Sequence, residues 1–452
     1  MGMRITTSMM MNTYRYNLQG STSNLSDARN KVLSQRKFDS YAEDPAAATQ
    51  AWRIRRAMSS NFDYQDNNSD TYSRFNIAST TMGVVSNKLT DASGRVSTIR
   101  GLNGAIGAGR QPLGKVLLET AETVVQAMNS AKYGDHFVFA GDDEMNTPFT
   151  WDGDTLLYRG VNVGAGGEKK PSEEPDWGTI DPATNLPSNM PSTGKTEWEK
   201  AWINYYRDDA RIKNGETVDN PAPKPSATDD PFAKDIADGK VDQFGIPDSY
   251  SDIMKNGSDM EKLWATYYKD QGDVQKLKRM SEEEQNVDLG MGLEEDESGL
   301  VMGTAFNRSL PGINMLGGYG VDEDGDPKNA VLIMKRLGEI FYNSDPDSGE
   351  WPTEENATGV QAEAYRLLNK LNASHHKIVE NYADLEARAQ FLQQNQTRLE
   401  TQGDYLQEER LNLEQVDLAD AITEFSWDYY CYSAALKIGT QLLSQSLLDY
   451  MG

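Results

Sequence analysis

The residues best suited to bind a metal are His136, His375, His376 and the acidic run Asp322-Glu323-Asp324-Gly325-Asp326. Alternating acids supply hard oxygen ligands, the donor set of a calcium loop. With Asp322 as the first ligand position, however, the glycine required at the sixth falls on Pro327 and the closing glutamate on Ile333. The run therefore reads as a turn leading into a helix that starts at Asp326-Pro327. None of the three histidines lies between Val163 and Gly320, which excludes a His-ligated zinc centre there, and on a long helix His375 and His376 read as packed or solvated rings. Gly104-Ala105-Ile106-Gly107 follows a helix and not a strand, so it lacks the context of a dinucleotide loop and reads as a break. Carboxylate pairs for glycoside hydrolysis can be chosen almost anywhere among 70 acids, which makes no pair specific.

Trp198, Trp202, Tyr205 and Tyr206 could stack on sugar rings, but their helical spacing favours a core. Arg53, Arg55 and Arg56 sit together on one helix, facing acids of the C-terminal helix, a neighbouring subunit or solvent. Cys431 is the only cysteine, so the chain has neither an internal disulfide nor a Cys-rich metal site. The start Met1-Gly2-Met3-Arg4-Ile5-Thr6 fits the loose myristoylation pattern, and no other feature points to a lipid anchor. No catalytic, cofactor-binding or metal-binding residue is assigned. The chain reads as a structural protein rather than an enzyme.

The strongest signal is periodicity. Leu371, Ile378, Leu385, Leu392, Leu399, Leu406 and Leu413 form an unbroken heptad ladder about 64 Å long. After Leu413 the phase shifts to two interleaved ladders, Leu418, Phe425 and Tyr432 beside Ile422, Tyr429, Leu436, Leu443 and Tyr450, so the stripe rotates and the helix can continue. Met11, Leu18, Leu25 and Val32 repeat the same step near the other end. An amphipathic seam in water needs a partner, so these two seams pair with each other, with other copies, or both. Met11, Leu18, Leu25, Val32, Leu418, Ile422, Phe425, Tyr429, Tyr432, Leu436 and Leu443 are thus the expected assembly interface.

Composition narrows the partners. Hydrophobic residues, not counting glycine, are 37% of the 452, against about 45–50% apolar with glycine included in ordinary domains, and the mean hydropathy is -0.68. A large exposed surface follows. A formal net charge of -26 would repel phosphate backbones and anionic membrane surfaces, which argues against nucleic acid and membrane as partners. No apolar run reaches the roughly 18–20 residues of a membrane span, and Met1 to Gly20 lacks the pattern of a secretory signal.

Along the chain, Asp44-Pro45 starts a helix through Trp52, Met58 and Phe62, and a stripe follows at Phe75, Ala78, Met82, Val85, Leu89, Ala92, Val96 and Ile99. Glycines between 101 and 114 with Pro112 interrupt it before a helix marked by Leu113, Leu117, Val124 and Met128. Phe137-Val138-Phe139-Ala140 reads as a short strand, and Asp152-Gly153 as a hairpin turn leading into Leu156-Leu157-Tyr158. The stretch Ser281 to Gly299, with eight acids and no base, is expected to be a solvated loop. The expectation is a mainly α fold. Both chain ends form an elongated antiparallel helical bundle or coiled-coil rod, with a small β-hairpin region and an inserted α+β or irregular domain. The expected bounds are 1–44 with 403–452 for terminal coiled-coil assembly segments, 45–162 with 321–402 for a helical-bundle rod domain, and 163–320 for a surface-exposed insert.

Met3-Arg4-Ile5-Thr6-Thr7, the Gln35 to Asp44-Pro45-Ala46-Ala47-Ala48 stretch and Ala434-Ala435-Leu436 to Ser446-Leu447-Leu448-Asp449-Tyr450 resemble the flagellin superfamily. Phe139-Ala140-Gly141 and Pro148-Phe149 bring the resemblance nearest to its hook-filament junction family, hook-associated protein 3. Two departures stand out: the family's usual Ser-Gly-Lys is replaced by Ser34-Gln35-Arg36-Lys37, and the insert is longer than that family usually carries. The resemblance implies an extracellular structural protein of the bacterial flagellum, exported unfolded by the flagellar type III apparatus with a chaperone. It implies a junction adaptor that contacts copies of itself, neighbouring hook-associated proteins and flagellin. A filament flagellin, and a flagellar rod displaying an adhesive or enzymatic insert, are the alternatives.

Overall fold

The computed structural model describes residues 7–38, 42–101, 107–194, 196–226, 230–296, 299–300 and 303–451. The opening 3–6 and the glycine break at 104–106 therefore lie outside the described residues. The fold is mainly helical with small sheets. Two compact units divide it, residues 1–68 with 394–452, and residues 69–393.

The first unit is built from α1 (Thr7–Ser34), the start of α2 (Pro45–Gly101), the end of α10 (Val360–Glu414) and α11 (Leu418–Met451). Asp44 caps α2, its Oδ1 accepting from Ala46 N (3.1 Å) and Ala47 N (2.9 Å), as the Asp-Pro pair predicts. α10 runs unbroken through the Leu371–Leu413 ladder. The helix does not continue into α11, although the rotated stripe would have allowed it. Gln415 forms a β-bridge with Arg36, Lys37 N donates to Glu414 O (2.8 Å), and Val416 N donates to Gln35 O (3.2 Å). Those bonds occupy the backbone where the helix would pass, and Asp417 restarts it by accepting from Ala419 N (2.8 Å). α1 then packs antiparallel along α11, with Lys31 pairing Glu424 (3.3 Å) and Tyr14 lying against Gly439.

In the second unit α2 carries its expected stripe into one large core, with Phe75, Met82, Val85, Leu89 and Val96 all at most 1% exposed. Leu371, Ile378, Leu385 and Leu392 of α10 join it. α3 (Gly107–Ser130) already starts at Gly107, ahead of Pro112, and crosses α9 (Ala330–Tyr342) at Gly114 and Gly338. A Cβ on Gly114 would lie 2.5 Å from Tyr342 N and 2.6 Å from Gly338 O, so the crossing requires glycine.

The expected strand at 137–140 shrinks to β2 (His136–Phe137) paired with β1 (Lys132–Tyr133). Phe139 O is taken instead by Tyr158 Oη (3.0 Å) and Gly312 N (2.9 Å). The Asp152-Gly153 hairpin is present, β3 (Phe149–Asp152) against β4 (Thr155–Tyr158), with β5 (Val161–Asn162) added outside. Phe139, Phe149 and Tyr158 thereby converge on Gly312, where an added Cβ would meet Phe149 Cε2 at 2.8 Å.

The rest of the unit comprises α4 (Glu197–Lys213), α5 (Ala233–Ala237), α6 (Tyr250–Asn256), α7 (Asp259–Ser281), β6 (Asn286–Val287), β7 (Glu295–Asp296), β8 (Gly299–Leu300), β9 (Phe306–Asn307) and α8 (Gly312–Met315). The acidic stretch after Ser281 is not a plain solvated loop. β6 pairs with β9, Leu289 is fully buried, and Glu283 holds Arg159 (2.7 Å) and Asp142 N (2.9 Å).

Candidate functional site

On α1 the protected side chains recur every three or four residues, with Met11, Tyr14, Leu18, Leu25 and Val32 half-buried and Ala28 buried. Four of these are the expected seam. The matching positions of α11 are Ala421 and Gly439, buried, and Phe425, Tyr432 and Ala435, half-buried. Small residues at 421, 435 and 439 let the two helix axes approach closely.

The second ladder of α11, joined by Leu418 from the first, turns elsewhere. Leu418, Ile422, Tyr429 and Leu436 are 44%, 47%, 59% and 42% exposed, and on the far side Trp427 and Tyr430 stack in the open at 67% and 68%. The eleven expected residues therefore split. Six form the stripes on α1 and on the α1-facing side of α11, four form an open apolar row, and the side chain of Leu443 lies outside the described residues. Cys431 is half-buried on α11.

The acidic run at Asp322 is held by a lysine. Lys370 Nζ lies 2.6, 2.7 and 2.8 Å from carboxylate oxygens of Asp322, Asp324 and Asp326, and Arg366 also pairs with Asp326, which is 1% exposed. The three carboxylates lie within 4.8 Å of one another, as metal ligands would, yet a fixed ammonium fills the position that a cation would take. Burial alone would lower the Lys370 pKa, and its three carboxylate partners reverse that and raise it. Burial likewise opposes the charge on Asp322, and the Lys370 ammonium together with the Asp326 and Asp324 amides outweighs it and lowers that pKa. The expected helix start at Asp326-Pro327 moves to Ala330. Asp326 is committed to Arg366 and Lys370, and Asn329 Oδ1 caps the helix by accepting from Val331 N (3.0 Å).

The aromatics of the insert form cores. Trp198, Trp202 and Tyr206 make one cluster, and Phe232 and Trp264 centre another. Two repeats there escaped the sequence reading. Thr196, Glu199, Lys200, Trp202, Tyr205, Tyr206 and Asp208 recur 62 positions later as Ser258, Glu261, Lys262, Trp264, Tyr267, Tyr268 and Asp270. Thr196 and Ser258 cap α4 and α7 in the same way, each accepting from the glutamate amide three residues on. Tyr206 donates to Glu174 (2.8 Å) and Tyr268 to Asp230 (2.9 Å).

A turn precedes each of these modules. In Val241-Asp242-Gln243-Phe244-Gly245-Ile246-Pro247, Asp242 Oδ1 accepts from Phe244 N and Ile246 N, both at 2.8 Å, and Val241 bridges Pro247. Val321 to Pro327 repeats that turn, with Asp322 Oδ1 accepting from Asp324 N (3.0 Å) and Asp326 N (3.1 Å). Ile180 to Pro187 is a one-residue-longer variant with Asn185 at φ 57° in place of glycine. The signal that could have revealed all this is the written pattern Val-Asp-x-x-Gly-x-Pro, found twice.

Of the remaining candidates, Arg55 pairs with Glu414 of α10 (2.8 Å) and Arg56 lies 5.8 Å over the Trp52 ring. His375 Nε2 contacts Thr90 Oγ1 (3.1 Å), and burial followed by the neighbouring His376 lowers its pKa. His136 sits 3.3 Å from Glu144. Among the described residues no helix is long and apolar enough to cross a membrane. No protein-family model matches the chain, and no curated protein matches it.

Proposed function

We propose that the chain is a structural subunit of the bacterial flagellum, an adaptor joining hook to filament that assembles through its two terminal segments. The observation that carries this reading is α11. One side is taken by α1, and the row Leu418, Ile422, Tyr429 and Leu436 remains open, with Trp427 and Tyr430 exposed beyond it. A helix apolar on several sides belongs inside an assembly, with neighbours over the faces that its own chain leaves bare. The elongated coiled-coil rod belongs to the same proposal. It is supported by the antiparallel α1–α11 pair and by the continuous ladder of α10.

The flagellar part rests on the sequence resemblance, above all Phe139-Ala140-Gly141 and Pro148-Phe149, where the Phe139 carbonyl and the Phe149 ring both close on Gly312. With it come extracellular location, export by the type III apparatus with a chaperone, and partners that are further copies, neighbouring hook-associated proteins and flagellin. Immunogold labelling of this chain on intact flagella tests the reading. Label confined to the hook end supports a junction adaptor, label along the whole length makes it a filament flagellin, and unlabelled flagella refute both.

A further inference from the structure

α4 and α7 are two copies of one module, and the groove between them is bordered by equivalent positions of each. Glu197 and Asp259, Lys200 and Lys262, and Asn204 and Thr266 stand 62 positions apart in the repeat, and all six line a cleft of about 580 Å3. Asn220 to Pro223 close its third side, and Ala201, Met260 and Leu263 give it an apolar floor. Clefts between helices are common ligand sites, and this volume falls in their range of roughly 300–1,000 Å3.

We propose that the groove binds a neutral saccharide of one or two pyranose units. Three carboxylates, Glu197, Asp208 and Asp259, face two ammonium groups, Lys200 and Lys262, so the charges nearly cancel, and the single carboxylate in excess disfavours an anion while giving a cation little hold. Mixed donors and acceptors over an apolar floor suit a ring with hydroxyls on its rim and C–H bonds on its face.

Part of this lining is committed to the fold. Glu197 pairs with Lys200 (2.6 Å), and Asp208 accepts from Ala222 N (2.9 Å). The side chains of Asn204, Asn220, Asp259 and Lys262, by contrast, make no hydrogen bond or ion pair among the described residues, and Lys262 is half-buried. Asn220 holds φ at 62°, the left-handed region that asparagine enters more readily than most residues. Trp202 and Trp264 are buried away from the groove, so recognition rests on hydrogen bonds and not on ring stacking. The proposal stands on the insert alone and is independent of how the termini assemble.

Saturation-transfer NMR on the full chain, titrated with maltose, cellobiose, lactose and chitobiose, is the test. At least one should bind saturably with a Kd near 1 mM, and Asn204→Ala with Lys262→Met should weaken it at least tenfold while Arg211→Ala leaves it unchanged. Asn220→Gly separates binding from folding, because it should raise the thermal midpoint and still weaken the sugar. Absence of saturable binding by all four sugars up to about 20 mM overturns the proposal. So does binding undiminished in the double variant, or stronger binding of free lysine or glutamate than of any sugar.

Discussion

Under the proposed assembly role, Ile422→Asp separates the folding of the chain from its assembly. The side chain is 47% exposed in the open row of α11, beside Leu418, Tyr429 and Leu436 at 44%, 59% and 42%. Full burial of such a side chain is worth about 1.5–3 kcal/mol, and about half of each is still available, so the row offers a neighbour about 3–6 kcal/mol. That is at or below the roughly 4–15 kcal/mol cost of bringing two proteins together. Pairs should therefore not accumulate in solution, and a subunit should stay bound only where a growing end covers several faces at once. Placing an unpaired carboxylate in the covered row forfeits the Ile422 share and adds a desolvation cost, together about 3 kcal/mol or more, or over 100-fold in affinity. Thermal unfolding of the isolated chain should move by less than the equivalent of about 0.5 kcal/mol. Incorporation into flagella, followed by immunoblot of sheared appendages in a strain lacking the native chain, should be abolished. Normal incorporation of Ile422→Asp alongside failure of the inner-stripe variant Leu25→Asp would show that α11 serves only α1, and would refute the reasoning.

Gln35 holds φ at 57° where α1 ends, so Gln35→Gly should stabilise the α1–α2 connection by up to about 1 kcal/mol; slower hydrogen exchange at Val416 N–H, which donates to Gln35 O, reports it. Gly114→Ala must force α3 from α9, whose backbone cannot yield at 2.5 Å, and should cost about 3 kcal/mol, whereas Gly94→Ala, with nothing within 4 Å, should gain up to about 1 kcal/mol; urea midpoints of equal sign would contradict both assignments. Lys370→Met should cost about 2–3 kcal/mol at pH 7 by leaving three neighbouring carboxylates without their shared cation. Because the folded Asp322 pKa is depressed, its contribution is present above the unfolded value near pH 4 and lost as pH falls through the folded value. The gap between wild type and Lys370→Met should then hold from pH 5 to 8 and narrow toward pH 2, and a gap of unchanged size at pH 2 would contradict the clamp.

The long helices were legible because their signal is summed over many turns. The Leu371–Leu413 ladder and the Phe75–Val96 stripe each repeat one phase often enough to fix both the element and its inward face. The break at Gln415 was not legible, because no proline or glycine marks it. A backbone bridge to Arg36, hundreds of residues away in sequence, ends the helix. The same limit applies to the assembly seam. Two interleaved ladders on α11 were visible, but periodicity carries no information on which of two apolar rows the chain covers itself. Small residues decided it, since Ala421, Ala435 and Gly439 allow α1 to approach beside Phe425 and Tyr432, leaving the row of Ile422 and Tyr429 outside. The expected seam therefore divides into a row packed within the chain and a row left open.

In the insert the difficulty was of another kind, since the information lay in repetition and not in period. Asp322, Asp324 and Asp326 invite an ion because the three acids are read together. Beside Val241-Asp242-Gln243-Phe244-Gly245-Ile246-Pro247 the first of them has a different task. Asp242 makes the same two side-chain bonds to backbone amides with no acidic companions at all. The first carboxylate of the run is thus set by the turn, and only Asp324 and Asp326 are additional. Both of those are answered by Lys370, and Asp326 by Arg366 as well. What distinguishes the turn at Val321 from its twin is the pair of basic residues on α10 that it faces, so its acids act as a tether for that helix, and replacing Lys370 tests the tether directly.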